Sequence, residues 1–406
     1  MPGSRFFVLI TGLLLVTGAA GTQAEGGASR AEIFRQAREL TVVGRMLFFE
    51  PALSASGRMS CASCHDPAHA YGPANGLAVQ LGGKDLRASG RRAVPSLRYR
   101  QTTPQFTEHY FESEDEGDPS VDNGPTGGLM WDGRVDRGRD QARLPLLSPY
   151  EMANAGPDAV MAALRRTHAA GGLRRIFGKG LFGDPARAFA ALTEALEAFE
   201  ESYSDFYPYS SKYDAYLAGT AALTPAEARG LALFNDPDKG NCAHCHPSAR
   251  GGDGTPPQFT DNGFVALGVP RNPEIPANAD PAYFDLGLCG PLRSDFRDRA
   301  EYCGLFKAPS LRNVAVRRSF FHNGVFHDLR EAVEFYAERD TDPAKWYPRG
   351  GDGKLRKFDD LPEGYRANVN AEPPFGGKPG GKPAFSGGEI DDIVAFLATL
   401  TDGYRP

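Results

Sequence analysis

Two short segments of the chain carry cysteine and histidine at a spacing that suits covalent attachment of a porphyrin. The first reads Cys61-Ala62-Ser63-Cys64-His65 and the second reads Cys242-Ala243-His244-Cys245-His246. Two cysteines three positions apart can each form a thioether with one vinyl group of a haem, and the histidine that follows is placed to bind the iron. The sequence therefore predicts two c-type haems. The residues expected to hold them are Cys61, Cys64 and His65 in the first segment and Cys242, Cys245 and His246 in the second.

Zinc binding and disulfide formation are the alternatives for the same residues. Zinc usually takes four ligands in a tetrahedron, often from two separated pairs, and a histidine next to a ligating cysteine crowds that geometry. Two copies of the pattern in a chain with six cysteines and eight histidines also argue against chance.

The segments around the two motifs repeat, which indicates that each motif belongs to a similar structural unit. A helical segment with the pattern Gly-x-x-Leu-Phe, at 44–48 and again at 230–234, precedes each motif. Each half then ends in an amphipathic helical pattern, over Pro185–Tyr203 and Ser386–Leu400. We therefore predict a mainly α protein with two cytochrome c-like haem domains and long loop-rich insertions, at 66–150 and 247–385.

Helix-start signals place the boundary between the two domains. Thr224-Pro225-Ala226-Glu227 has an N-cap, a proline at the first helical position and a capping-box glutamate. We expect a signal peptide at 1–24, an N-terminal haem domain at 25–222 and a C-terminal haem domain at 223–406.

The first 24 residues have the features of a secretory signal. Arg5 precedes the apolar run Phe6–Val16, and Thr22-Gln23-Ala24 resembles a cleavage site. The run is much shorter than the roughly 20 apolar residues of a membrane span. We expect export to the periplasm, cleavage, and no membrane span in the mature protein.

The net charge bears on the class of partner, and the two cysteines outside the motifs bear on disulfide formation. The formal net charge of −6 argues against a nucleic-acid partner. Cys289 and Cys303 lie 14 positions apart, and in an oxidising compartment we expect a disulfide between them. A free reactive thiol is the alternative.

The sixth ligand of each iron decides between electron transfer and reaction with peroxide, because a vacant position can bind small molecules. All six methionines lie at or before position 161, so a methionine of the C-terminal half cannot serve. His322, His327 and Tyr336 remain as candidates there. From the residues alone, Tyr336 is more simply explained as a half-buried core residue.

Further segments extend this pattern. They read Trp131-Asp132-Gly133-Arg134, Pro309-Ser310-Leu311-Arg312-Asn313-Val314 and Phe321-His322-Asn323-Gly324. With the haem motifs, they resemble the bacterial di-haem cytochrome c peroxidase superfamily. The run Glu331–Tyr336 places a tyrosine where peroxidases of this group have an axial methionine, and this resembles the MauG branch. Its members use hydrogen peroxide to oxidise residues of a partner protein, and the related MbnH proteins oxidise a tryptophan of a copper-binding partner.

The resemblance implies a reactive first haem. His65 would hold it with the opposite face open. Gln141 would hydrogen-bond the bound oxygen species, Pro145 would block a sixth protein ligand, and Glu151 would move a proton between the peroxide oxygens.

The resemblance also implies how the second haem is reached and held. Trp131 would lie between the haems and relay electrons. His246 and Tyr336 would be the axial pair of the second iron. A phenolate is a strongly donating anion, so it would favour oxidised iron and lower the reduction potential relative to a thioether.

The chain departs from the family pattern in two places. Peroxidases that need reductive activation have a histidine in the loop after the first motif, whereas Asp66–Arg100 offers only His69, which is too near. The inter-haem calcium is doubtful, because its asparagine ligand corresponds to Ala93 and its carbonyl donors to Arg317 and Ser319. We hypothesise that Arg317 takes part of the space and charge of that ion.

Three functions follow from these observations. The leading one is a periplasmic enzyme that uses hydrogen peroxide to oxidise residues, tryptophan above all, of a partner protein. The second is a cytochrome c peroxidase that reduces peroxide with electrons from a small redox protein, and the third is a pure electron carrier. Tyr336 argues against the second, and the lack of a sixth ligand for the first haem argues against the third.

Overall fold

The computed structural model describes residues 29–112 and 118–405, so the predicted signal peptide at 1–24 lies outside the described residues. Within these ranges the protein is mostly helical, with two small antiparallel strand pairs. The α-helices are α1 Arg30–Phe48, α2 Gly138–Leu147, α3 Pro157–Leu164, α4 Ala169–Phe177, α5 Pro185–Glu200, α6 Tyr203–Phe206, α7 Lys212–Leu217, α8 Pro225–Asn235, α9 Cys242–Cys245, α10 Leu329–Glu338, α11 Pro343–Trp346 and α12 Gly387–Ala398. The strands are β1 Leu81–Gly82, paired with β2 Ala88–Ser89, and β3 Phe264–Val265, paired with β4 Phe306–Lys307.

Two hydrophobic clusters form the core. The first is built from buried residues between Val43 and Phe206, and the second from buried residues between Tyr213 and Leu400. Long irregular segments lie between α1 and α2 and between α9 and α10, as the sequence predicts. Among the described helices, none has the length and apolar character required to cross a bilayer.

The helix before each haem motif crosses the closing helix of the same half at a glycine. Gly44 of α1 lies against α5, and Gly230 of α8 lies against α12. A Cβ at either position would overlap a backbone carbonyl oxygen, that of Ala195 in the first half and that of Asp392 in the second. Glycine is therefore required here because the two backbones touch.

The phenylalanine four residues after each glycine packs on the same closing helix. Phe48 contacts Phe199 edge-on with ring centroids 5.3 Å apart, and Phe234 contacts Phe396 edge-on at 5.1 Å. All four rings are buried. The repeated Gly-x-x-Leu-Phe pattern thus encodes the same helix crossing twice.

The predicted helix starts are confirmed. Thr224 and Glu227 form a capping box at the start of α8, and Ser386 and Glu389 form one at the start of α12. The first closing helix is shorter than predicted, because α5 ends at Glu200 and α6 follows as a separate turn.

An ion-pair and aromatic cluster joins the two halves. Arg312 donates through both terminal nitrogens to Asp214, at 2.9 and 2.8 Å, and its guanidinium lies 4.6 Å from the ring centroid of Tyr99. Asp402, near the C-terminus, accepts from Arg98 at 2.8 Å and from the Tyr99 hydroxyl at 2.6 Å. These contacts fix the end of the chain on the loop that borders the first motif.

The six cysteines divide as predicted into one disulfide and four thiols. Cys289 and Cys303 are joined, which closes part of the loop between β3 and β4. The four cysteines of the two motifs are free.

Candidate haem site

One cavity of about 2540 Å³ is lined by residues of both halves, including both cysteine–histidine motifs. Pockets for a single drug-sized molecule usually have about 300–1,000 Å³, so this cavity is more than twice that upper limit. Its size and its two sets of thiol and imidazole groups suit two macrocycles.

Each motif histidine is oriented by a hydrogen bond to a backbone carbonyl. His65 donates from Nδ1 to the carbonyl of Tyr71 at 2.9 Å, and His246 donates from Nδ1 to the carbonyl of Phe259 at 2.8 Å. In each ring the proton on Nδ1 leaves Nε2 unprotonated, as an iron ligand must be. Burial lowers the pKa of both imidazoles to about 4, so both are neutral at pH 7.

The thiols and one orphaned donor complete the fit to haem. All four motif cysteines line the cavity, and burial raises the pKa of Cys64 to about 11 and that of Cys242 to about 12. Arg100 also lines the cavity and donates to Glu200, but its Nε is buried without a partner in the described part of the chain. A haem propionate is a carboxylate that could accept from this group.

The N-terminal half supplies a polar wall. Gln141 and Pro145 of α2 and Glu151 in the following turn all line the cavity. The exposed part of Glu151 faces this cavity, and the rest of the residue is enclosed by protein. This burial raises the pKa of the Glu151 carboxyl. The turn is held close to α2, because the amide of Met152 donates to the carbonyl of Pro145 at 3.0 Å.

Strand β1 fixes the Glu151 turn from the other side. The amide of Gly83, directly after β1, donates to the Glu151 carbonyl at 2.8 Å. A Cβ on Gly82 would overlap the backbone of Tyr150 and Glu151. The carboxyl is therefore placed by two backbone contacts that the sequence pattern does not reveal.

Trp131 lines the same cavity and links the halves through backbone groups. Its Nε1 donates to the Ala93 carbonyl at 2.8 Å, and the Ala93 amide donates to the His322 carbonyl at 2.7 Å. The Trp131 carbonyl accepts from the amide of Lys307 in β4 at 2.9 Å. The indole is held between a loop of the first half and two segments of the second.

Tyr336 of α10 faces the cavity from an aromatic surround. Phe321, Phe335 and Phe375 lie with ring centroids 5.8, 6.4 and 5.2 Å from its own. Burial raises the pKa of the phenol above its ordinary value. Within the described ranges the hydroxyl has no hydrogen-bond partner, so it is available to a bound group.

The two histidines that competed with Tyr336 are placed differently. His327 is exposed and uses both ring nitrogens, on the Arg318 carbonyl at 3.2 Å and the Glu274 carboxylate at 3.0 Å. His322 lines the cavity with its ring stacked on Phe306 at 3.4 Å. Burial lowers the pKa of His322 to about 3.

The Arg317 guanidinium lies among backbone carbonyl oxygens. It donates to the carbonyls of Val94 and Ser319, at 3.1 and 3.3 Å. Burial lowers its pKa to about 10. Its charge thus meets carbonyl oxygens, the groups that would otherwise coordinate a cation.

Sequence patterns missed two groups that line the cavity: the Arg100–Glu200 pair and Lys307. Burial lowers the pKa of Lys307 to about 8. Among the described residues its ammonium donates only to the Gly128 carbonyl, at 2.8 Å. Lys307 stands beside Phe306 in an apolar segment, and a charge in such a setting is the signal that could have identified it.

The chain is similar to known proteins in both sequence and fold. A family model described as "Di-haem cytochrome c peroxidase" matches residues 38–222. The chain is 36% identical over 392 residues to the methylamine utilization protein MauG of Paracoccus denitrificans, with 93% of each chain covered. It is 28% identical over 368 residues to the cytochrome c551 peroxidase of Nitrosomonas europaea, with 89% of this chain and 80% of that one covered. The solved structure of the diheme peroxidase BthA from Burkholderia thailandensis matches with a TM-score of 0.79 and 42% identity, covering 89% of this chain and 86% of that chain.

The fold, the paired motifs and these similarities define a di-haem peroxidase, with haem as its cofactor. More closely, the chain belongs to the MauG branch of the bacterial di-haem cytochrome c peroxidase superfamily, as the sequence motifs predict. It is a peroxide-dependent oxidoreductase.

Proposed function

We propose that the chain carries two covalent haems c in two cytochrome c-like domains, 25–222 and 223–406. The repeated helix crossing and the two hydrophobic clusters support two such units. The free thiols and the oriented imidazoles of the cavity support covalent attachment at each motif. We further propose that the protein is exported to the periplasm, where such attachment takes place, and that residues 1–24 are removed.

The function we propose is the peroxide-dependent oxidation of residues, tryptophan above all, in a partner protein. The observation that carries it is Tyr336, an unpartnered phenol in the cavity wall of a half that contains no methionine. Phenolate ligation stabilises oxidised iron, so it suits a site that stores an oxidising equivalent rather than one that receives electrons from a donor. Coordination to a cation would remove the proton that burial otherwise holds on the phenol.

At the first motif, bound haem would supply the iron at which peroxide is reduced. Reduction of peroxide to two waters takes up two protons and two electrons. Glu151 would accept the proton from one peroxide oxygen and deliver it to the other, and its raised pKa suits both directions. Gln141 would donate a hydrogen bond to the bound oxygen, and Pro145, which has no amide hydrogen, would fill space without offering a ligand.

The two electrons would come from the partner protein, one at a time. Trp131 would carry them between the two halves, and its fixed hydrogen bond to Ala93 supports a constant position. Arg317 would hold the carbonyls of Val94 and Ser319 in place of a calcium ion.

A second function is favoured by the similarity to cytochrome c551 peroxidase. In that case the electrons would come from a small redox protein and no partner residue would be modified. Purified enzyme should be given peroxide with either reduced cytochrome c or the protein encoded beside it. We expect fast modification of that protein, seen by mass spectrometry as an oxygen mass gain or a cross-link, and slow oxidation of cytochrome c. Fast oxidation of cytochrome c without modification of the protein would establish the peroxidase.

The role of Tyr336 is tested by Tyr336→His and Tyr336→Met in the same assay. We expect both variants to bind two haems but to lose partner modification, because neither ligand is an anion. Partner modification that continues at the native rate would contradict the role of the phenolate.

A further inference from the structure

Segment 141–190, which follows the start of α2 and extends into α5, carries a basic surface on an acidic protein. It contains seven basic and three acidic residues, a net of +4, whereas the whole chain has a net charge of −6. All seven basic side chains are exposed. We call them the basic face: Arg143, Arg165, Arg166, Arg174, Arg175, Lys179 and Arg187.

Four of these side chains contact residues of the segment 177–189. Arg165 and Arg174, on α3 and α4, both lie over the Phe182 ring, at 5.1 and 4.7 Å from its centroid. Arg187 donates to the Phe177 carbonyl at 2.9 Å. Arg143 lies over the Phe189 ring at 5.0 Å, which connects α2 to the same segment.

The basic side chains of this face form no ion pairs with carboxylates in the described part of the chain. In the described part of the chain, no carboxylate lies within 4.0 Å of any of its seven cationic groups. Of the three acidic residues of the segment, Glu151 faces the cavity, Asp184 caps α5 through two backbone amides, and Asp158 is exposed in the first turn of α3. Like charges held together without partners repel one another, so such a surface favours an anionic partner.

The partner is a protein rather than a membrane. Interfacial helices insert large apolar side chains between lipids. In segment 141–190 the one exposed large hydrophobic residue is Tyr150, and the Arg91 guanidinium lies over its ring at 4.8 Å. The apolar side of α4, with Ala169, Ala170 and Leu173, is buried in the first core cluster. The basic face therefore offers charge without an inserting group.

The position of the basic face relates it to the candidate site. Arg143 of α2 is exposed and lines the cavity together with Gln141 and Pro145 of the same helix, so the basic face reaches the cavity at this helix. We propose that the basic face docks an acidic protein, the partner whose residues supply electrons to the site. The role of this protein as the electron source rests on the proposed function, whereas its binding to the basic face does not.

The test measures binding alone. The probe is plastocyanin, an acidic copper protein, and its control is the same protein with its surface carboxylates amidated. The variant Arg175→Glu/Lys179→Glu changes two basic-face residues without side-chain contacts in the described structure, so folding should be kept. Arg349→Glu/Lys354→Glu makes the same charge change on an exposed turn of the other half.

At low ionic strength we expect the haem-loaded enzyme to bind native but not amidated plastocyanin. The basic-face variant should bind about tenfold more weakly, and the Arg349/Lys354 variant should bind within about twofold of the native enzyme. Equal losses in both variants, or none in either, would overturn the proposal. So would tight binding to anionic phosphatidylglycerol vesicles that depends on the same residues. Binding as expected, in a native enzyme that modifies no partner protein when peroxide is added, would instead count against the proposed function and leave the basic face assigned.

Discussion

The two halves share one helix crossing but offer opposite chemistry to the cavity. In each half a glycine and a phenylalanine fix the helix before the motif on the closing helix. The first half then presents Gln141, Pro145 and Glu151, and the second presents Tyr336 among phenylalanine rings. A common scaffold holds the histidine and thiols, whereas the irregular segments decide what the opposite face can do.

This difference teaches which residues carry reactivity. A carboxyl whose pKa is raised can give and take a proton, so the first half suits peroxide. A phenol without a partner can become an anionic ligand, so the second half suits storage of an oxidising equivalent.

The largest effect is expected where the halves are alike. Gly44→Ala and Gly230→Ala should each lower the free energy of unfolding by about 3 kcal/mol or more, because the new Cβ overlaps a backbone carbonyl. Thermal unfolding of the haem-loaded protein measures this. Gly171→Ala in α4 is the control, since nothing lies within 4 Å of its Cβ, and unchanged stability in both test variants would show that the crossing is not the shared scaffold.

Glu151→Gln should impair the chemistry of the first half and leave the second half unchanged. The peroxide reaction should slow about 100-fold, because the amide cannot shuttle a proton, while the spectrum of the second haem stays native. Stopped-flow mixing with peroxide measures the rate. Glu363→Gln, an exposed change away from the cavity, should have no effect, and a native rate in the Glu151 variant would remove its assigned role.

The pH dependence of the same rate should reveal the environment of Glu151. Burial raises the pKa of the carboxyl, so the carboxylate that accepts the proton is lost at a higher pH than for an exposed glutamate. The rate should therefore fall as pH decreases through this raised pKa, and Glu151→Gln should lack the step. A rate that is flat down to the ordinary glutamate pKa would disagree.

The smallest effect concerns the region between the halves. If Arg317 replaces calcium, elemental analysis should find well below one calcium per chain, and a chelator should leave the peroxide reaction unchanged. Stoichiometric calcium, or activity that a chelator removes and calcium restores, would refute the hypothesis.

Local patterns made much of this predictable. The motifs, the helix before each of them and the helix starts at Thr224 and Ser386 depend on residues close in sequence, and the structure has these helices where expected. Tyr336 was ambiguous without the family resemblance, because only its unpartnered hydroxyl distinguishes it from a core residue.

The contacts that sequence could not predict cross long loops. Arg100 donates to Glu200, and the backbone of Ala93 is hydrogen-bonded to both Trp131 and His322. The partners in these contacts are far apart in sequence and lie mostly in segments without periodicity. No repeat or spacing records which irregular segment meets which, so the shape of the cavity between the motifs required the structure.

The central claim is that one haem has an open face and the other is capped by the Tyr336 phenolate. Resonance Raman and electron paramagnetic resonance spectra of the ferric protein test it directly, with Tyr336→Phe as the variant and Tyr347→Phe, a buried tyrosine bonded to the Gly268 carbonyl, as the control. We predict one five-coordinate high-spin haem and one haem with phenolate bands that disappear only in Tyr336→Phe. Spectra with only six-coordinate, low-spin iron of thioether or bis-imidazole type, unchanged by that variant, would contradict the account.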